Sequence, residues 1–307
     1  MTYRKAISIG IFLLLFTGIE SWYLWQQSKD IQASEQTLVN LKSRPILFLG
    51  NSHMHFGLDD QIIERSKNLA YPSELLLFTY AKIKLLKPKT VIVALNPQHL
   101  QKNNEDALDN GLLSETQYSF LYKKLTPEEK QDIYAHTPFE QWAFFKTRSW
   151  LPFLGTRLAP GKSSQLLGEF KAHTQGKEID NQVIKKRIKT VFENYKYQES
   201  DLQKKYLRKI IHYCQRNNIR LVFLSFPLHS KFYKKIPISV FEHFQGTLKQ
   251  LQPIGQFTHW DYTTHFQNKP LFFYDADHLN ALGAKVFSQQ MKQRIEKIKL
   301  TGIKKAP

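Results

Sequence analysis

A single cysteine, Cys214, is all the thiol chemistry in this chain of 307 residues, so no internal disulfide can staple it. A chain of this length can bury a core without one, even in an oxidising compartment. Cys214 falls in an amphipathic stretch, where it is expected to serve as a small buried hydrophobe. Acidic residues are also scarce, 26 against 44 Lys and Arg, for a formal net charge of +18. Residues 201–250 carry the imbalance, with Asp201 and Glu242 as their only acids. Such a surface attracts polyanions, among them anionic lipid headgroups and phosphate-bearing polymers. A solvated basic exterior with no dedicated partner fits equally well. There is no nucleic-acid-binding motif, so nucleic acid is not an expected partner. There is no internal repeat either, which leaves out solenoid and propeller architectures.

What the chain does have begins with an apolar run from Ala6 to Trp25, interrupted by Ser8, Thr17, Glu20 and Ser21 and preceded by Arg4 and Lys5. Twenty helical residues rise roughly 30 Å, about the hydrocarbon thickness of a bilayer. Glu20 shortens the clean stretch, which a cleaved signal peptide would also tolerate. Trp22, Tyr23 and Trp25 read as an interfacial aromatic belt, and no small-x-small cleavage site follows closely. An uncleaved transmembrane anchor over 1–26 is therefore expected, followed by a polar helical stalk over 27–43. Arg4 and Lys5 place the N-terminus on the cytoplasmic side and the rest outside, in the setting of a bacterial inner membrane with a periplasmic domain.

From 44 to 300 the pattern is strand, helix, strand with short links, the grammar of a doubly wound sheet. Strands are expected over 45–49, 67–70, 90–95, 219–225 and 257–262. Helices are expected over 59–66, 73–86, 201–217, 238–251 and 281–297. Thr90–Leu95 is a nearly unbroken apolar run, as a central parallel strand covered on both faces requires. Between about 97 and 200 this order loosens into an insertion. Thr126-Pro127-Glu128-Glu129 marks a helix start. An aromatic segment follows from Phe139 to Phe153, and then a polar stretch around Gly161-Lys162-Ser163-Ser164.

Two short segments carry the chemistry. Ile46-Leu47-Phe48-Leu49 runs into Gly50-Asn51-Ser52, a core strand that stops at a tight turn and delivers a serine to the sheet's rim. Far downstream lies Asp275-Ala276-Asp277-His278. A serine hydroxyl needs a base to take its proton, and the base needs an orienting partner. An Asp and a His three residues apart can both face the same side of a turn. His53, His55, His99 and His229 could suggest a metal, but no carboxylate triad accompanies them. They are expected to line a polar pocket or bond within loops. No metal and no cofactor are expected.

Together the segments resemble the SGNH (GDSL-like) hydrolase superfamily. The resemblance implies a flavodoxin-like three-layer α/β/α fold with a central parallel sheet. Ser52 matches the nucleophile, Asp275 the orienting acid and His278 the base. The spacing of the family motif selects Asp275 over Asp277. The backbone N–H of Ser52 and the side chain of Asn96, at the end of the third strand, match the oxyanion hole; Asn51, His53 and His99 are secondary pocket candidates. The chain departs from the family in two places. No glycine occurs in Asn68-Leu69-Ala70-Tyr71-Pro72, and Asn96 lies between Leu95 and Pro97. Membrane-anchored groups similar to this chain include the D-alanyl-lipoteichoic acid protein and alginate O-acetyltransferase groups. That likeness implies a serine esterase or O-acyltransferase acting on an acylated cell-envelope glycan or polymer, beside a membrane-bound O-acyltransferase. The alternative is a catalytically inactive partner module of such a system, which the two departures favour.

Overall fold

The computed structural model describes scattered helical residues between 14 and 41, then residues 44–105, 121–136 except 123, 167–174, 178–193 and 198–301. Strand β1, Ile46–Leu49, is buried at every position because both faces of the sheet are covered. Its side chains alternate: Leu47 and Leu49 enter one core, Ile46 and Phe48 the other. Helix α1 (Ser52–Gly57) follows directly, then β2 (Ser66–Asn68), α2 (Leu76–Leu86) and β3 (Thr90–Ala94). Further along come α3 (Pro127–Ala135), α4 (Asn181–Ile188), α5 (Asp201–Arg216), β4 (Arg220–Ser225), α6 (Ser230–Tyr233), α7 (Ile238–Leu251), β5 (Thr258–Asp261) and α8 (Ala281–Thr301).

The strands are all parallel in the order β2-β1-β3-β4-β5. In register, Ile46 aligns with Thr90 and Thr90 with Arg220, so the carboxyl ends of β1, β3 and β4 share one edge. On one face α2 and α5 pack through Leu76, Phe78, Ile83, Tyr206, Leu207 and Ile210. On the other, α1 and α8 contribute Met54, Ala284, Phe287, Met291 and Ile295. This is the three-layer α/β architecture expected from the sequence. Cys214 is fully buried on α5, and burial pushes its thiol up to about 12.

Several expected boundaries shift for local reasons. The helix expected over 59–66 is a series of turns. The Asp59 carboxylate accepts from the Gln61 N–H at 2.9 Å, and Arg65 has φ 62°; a short side chain bonding two residues ahead favours a turn over a helix. The helix expected from residue 73 begins at Leu76, because Ser73 has φ 58° and Leu75 is extended. The first N–H of α2 is instead satisfied across the fold by Gln203 Oε1 at 2.9 Å. Helix α3 starts as its sequence predicts: Thr126 and Glu129 form a reciprocal capping box with Pro127 in the first turn. The aromatic segment 139–153 and the polar stretch 161–164 lie outside the described residues. So does most of the apolar run 6–25, of which Leu14, Leu15, Trp22 and Trp25 are described as helical and exposed. Among the described residues no helix is long and apolar enough to cross a membrane.

One core feature has no apolar pattern behind it. Lys82 on α2 is wholly buried and paired with the equally buried Glu74. Lys82 also donates to the Leu69 carbonyl at 2.7 Å, and Thr79 donates to Glu74 at 2.8 Å. Removing one member leaves a buried charge without its partner. Lys82→Met is expected to lower the free energy of unfolding by about 3–5 kcal/mol in urea titration, and Glu74→Met with Lys82→Met to recover most of that loss. Equal stabilities for wild type and Lys82→Met would contradict this assignment.

Candidate active site

Gly50 makes the turn that exposes Ser52. Its φ of 117° disfavours other residues, and a Cβ there would lie 3.0 Å from the Ala94 Cβ on β3. The chain turns over the sheet edge, and the half-buried Asn51 caps α1 by accepting from the His53 N–H at 3.2 Å. Ser52 is the first residue of α1, so its own N–H has no acceptor within the helix.

The second half of the site comes from the loop before α8. The Asp275 Oδ1 atom accepts from the backbone N–H groups of Asp277 at 3.0 Å and His278 at 2.8 Å. The Tyr274 N–H donates to the His278 carbonyl at 2.9 Å, closing the loop on itself. These bonds turn the Asp275 carboxylate towards the His278 ring, with Nδ1 2.9 Å from Oδ2 and 3.0 Å from Oδ1. A carboxylate only accepts, so the ring proton sits on Nδ1 and Nε2 presents a lone pair. That lone pair is 2.8 Å from Ser52 Oγ. Serine, histidine and aspartate thus form one continuous hydrogen-bonded line at the carboxyl edge of the sheet.

A second carboxylate stands behind the imidazole. Asp277 Oδ1 lies 3.6 Å from His278 Nδ1, longer than a hydrogen bond, and its side chain is fully buried. Arg187 on α4 grips it with Nε on Oδ1 at 2.9 Å and Nη2 on Oδ2 at 2.7 Å. Burial would raise the Asp277 carboxyl, but Arg187 and the neighbouring imidazoles hold it well below the usual carboxylate range. His278 is lifted above its ordinary value: burial pulls it down, and the charge of Asp277 with the bond to Asp275 outweighs that. Asp275 is lowered, its bond with His278 overcoming burial.

His53 and His99, expected to line or border the pocket, are buried and in contact with one another. His99 Nδ1 accepts from the Asn96 N–H at 2.9 Å, so its proton is on Nε2. That proton points to His53 Nδ1 at 3.2 Å, and His53 Nε2 lies between Asp277 Oδ2 at 3.5 Å and the Gln98 side-chain amide at 3.3 Å. Burial keeps His53 low and His99 well below the ordinary imidazole value. His53, Asp277 and His278 each bring a possible ligand atom within 4.8 Å of the others. Both oxygens of Asp277 are already held by a guanidinium, a cation that a metal ion would have to displace or tolerate, so the set suits a hydrogen-bonded cluster better than a metal.

The carboxamide of Asn96, matched to the oxyanion hole, clasps two strands together. Its Oδ1 accepts from the Phe226 N–H at 2.9 Å and its Nδ2 donates to the Phe226 carbonyl at 3.1 Å. With both atoms so engaged, a single amide hydrogen is left over. The stretch lacking the family glycine meets one from elsewhere. Gly168, with φ 94°, abuts the Leu69 and Ala70 carbonyls so closely that a Cβ would come within 2.4 Å of the first. The same segment brings His173 to the rim, stacked between Phe56 (centroids 3.6 Å apart) and Tyr274 (3.8 Å). Burial, and then the nearby His278, lower His173 to about 4. Arg187, His173 and Phe56 carry no local sequence signal, since each acquires its place through a contact distant along the chain.

No family model matches the chain, and no curated protein matches it. Solved structures that superpose on it include a GDSL-like lipase of Bacteroides thetaiotaomicron, with TM-score 0.38, 10% identity, and coverage of 87% of this chain and 98% of that one. A Bacteroides fragilis protein provisionally classed as an acylhydrolase superposes with TM-score 0.38 and 9% identity, covering 83% and 88% of the two chains. Likeness at this level carries no argument about function.

Asn96→Ala deletes both bonds to Phe226 and leaves that buried backbone pair unsatisfied. A loss of roughly 1–3 kcal/mol in unfolding free energy is expected from denaturant titration. Unchanged stability would contradict the clasp.

Proposed function

We propose that the chain is a serine ester hydrolase or O-acyltransferase of SGNH type, in which Ser52 is the nucleophile, His278 the general base and Asp275 its orienting acid. One observation carries the reading: Ser52 Oγ, His278 Nε2 and Nδ1, and the Asp275 carboxylate lie in line at 2.8 and 2.9 Å. Ser52 Oγ attacks an acyl carbonyl carbon while its proton passes to His278 Nε2. The tetrahedral oxyanion is received by the Ser52 N–H at the start of α1, with the remaining amide hydrogen of Asn96 as the candidate second donor. His278 then returns the proton to the leaving alcohol, and an acyl-serine remains. Water attacking that ester with His278 as base gives hydrolysis; a hydroxyl of another molecule gives transfer.

The setting is inferred from the sequence. An apolar N-terminal run ahead of a basic domain supports an anchored enzyme on the outer side of a bacterial inner membrane. Its substrate there would be an acylated envelope glycan or polymer, with a membrane-bound O-acyltransferase as partner. The bonds of Asn96 to Phe226 favour the rival reading of an inactive partner module, because they weaken the oxyanion hole.

Kinetics on a p-nitrophenyl ester separates the two. The enzyme reading expects measurable hydrolysis that disappears in Ser52→Ala and falls about 10⁴-fold in kcat in Asp275→Asn, as when the orienting acid of such a triad is neutralised. The working form of His278 is neutral, and its proton affinity is raised in the fold, so activity should decline as pH falls through a midpoint above 6.5. A folded wild type no faster than Ser52→Ala supports the inactive module.

A further inference from the structure

The Ser52, His278 and Asp275 line accounts for one carboxylate beside the imidazole and leaves the other unused. We propose that the buried Asp277 and the half-buried Arg187 form a counter-ion pair that positions His278 and balances its charge, which makes helix α4 a working part of the site. The proposal rests on the reading of His278 as the base.

The two acids do different work by geometry. Asp275 is within hydrogen-bond distance of Nδ1 and fixes the direction of the ring. Asp277, at 3.6 Å, acts on the ring through its charge. A fully buried carboxylate is costly unless a partner matches it, and the two-pronged contact from Arg187 is the strongest kind available. Arg187 is delivered by α4, which seats Ile184 and Ile188 in the core on the α1 and α8 side of the sheet. Without that docking, Asp277 would have His278 and His53 as its nearest partners.

The charged and titratable groups around His278 come from several elements. Asp275 and Asp277 belong to its own loop, and Ser52 and His53 to α1, the His53 ring centroid being 4.8 Å away. His173 lies in the 167–174 segment with its centroid at 6.1 Å, and Arg187 is on α4. His99 acts through His53. Both of those imidazoles stay neutral, so the balance at His278 is set by two anions and one guanidinium. Neutralising Asp277 should make His278 a weaker base. Removing the Arg187 charge should make it a stronger one, because Asp277 would then face the imidazole uncompensated. A purely structural pair would not move the titration in opposite directions.

The test follows the ring nitrogens of His278 by NMR in the full-length protein labelled with ¹⁵N-histidine. The variants are Asp277→Asn, Arg187→Met and Arg187→Lys, with the acid limb of kcat/KM on a p-nitrophenyl ester measured alongside. The titration midpoint should fall in Asp277→Asn, rise in Arg187→Met and return towards wild type in Arg187→Lys. The partly exposed Arg187 tolerates replacement better than Asp277, so its two variants decide the matter if Asp277→Asn does not fold. An unmoved midpoint in Arg187→Met, or a shift in the same direction as Asp277→Asn, overturns the proposal. The resonances titrate whether or not an ester is cleaved, so an inactive wild type would count against the proposed function and leave this result standing.

Discussion

The contact between Ser52 Oγ and His278 Nε2, 2.8 Å long, joins residues from opposite ends of the domain, and much of the architecture serves to make it possible. In a parallel doubly wound sheet every strand delivers its carboxyl end to the same edge, so whatever follows β1 and whatever precedes α8 can meet there. Gly50 turns the chain sharply enough to expose the serine. The Asp275 turn, with two backbone N–H groups on one carboxylate oxygen, presents the imidazole. Helix α8 then packs Phe287 and Met291 into the same core that holds Met54 of α1. The two halves of the site are thus fixed to one another through apolar packing as well as through the polar contact.

Next to this contact lies a cluster of charged and polar side chains. Asp277 is fully buried and matched by a guanidinium, while two neutral imidazoles in series connect it to the backbone of Asn96 at the end of β3. The charge on Asp277 is matched, and His99 and His53 are hydrogen-bonded in series. That order is the condition under which buried polar groups lend rigidity rather than cost stability. Asn96, Phe226 and the His99 turn thereby tie the ends of β3 and β4 to the floor of the site.

Much of this was legible in the sequence, and the reasons are local. The β1 strand and the Gly50-Asn51-Ser52 turn announce themselves by an apolar run cut off at a glycine. The strand of Thr90–Ala94 does so by unbroken hydrophobicity, and the start of α3 by its capping box. Asp275 and His278 are readable because their relation is a matter of three residues. What could not be read depends on contacts across the fold. Arg187 sits in a polar stretch whose neighbours give no hint of a buried carboxylate. Lys82 hides within an apolar face, and the close approach of Gly168 to the Leu69 and Ala70 carbonyls joins segments far apart in the chain. Asn96 was rightly placed at a strand end, yet its carboxamide is committed to Phe226. His53 and His99 were expected to line a polar pocket, but their contacts in series between Asp277 and the Asn96 backbone join separate segments and could not be read.

The proposed function requires that the imidazole of His278 make the Ser52 hydroxyl reactive. The most direct measurement is intact-mass analysis of the folded protein after exposure to a fluorophosphonate, with the adduct mapped by peptide sequencing. The account predicts one adduct per chain, on Ser52, absent when His278 is replaced by alanine. A folded protein that gains no mass, or gains it equally without His278, would contradict it.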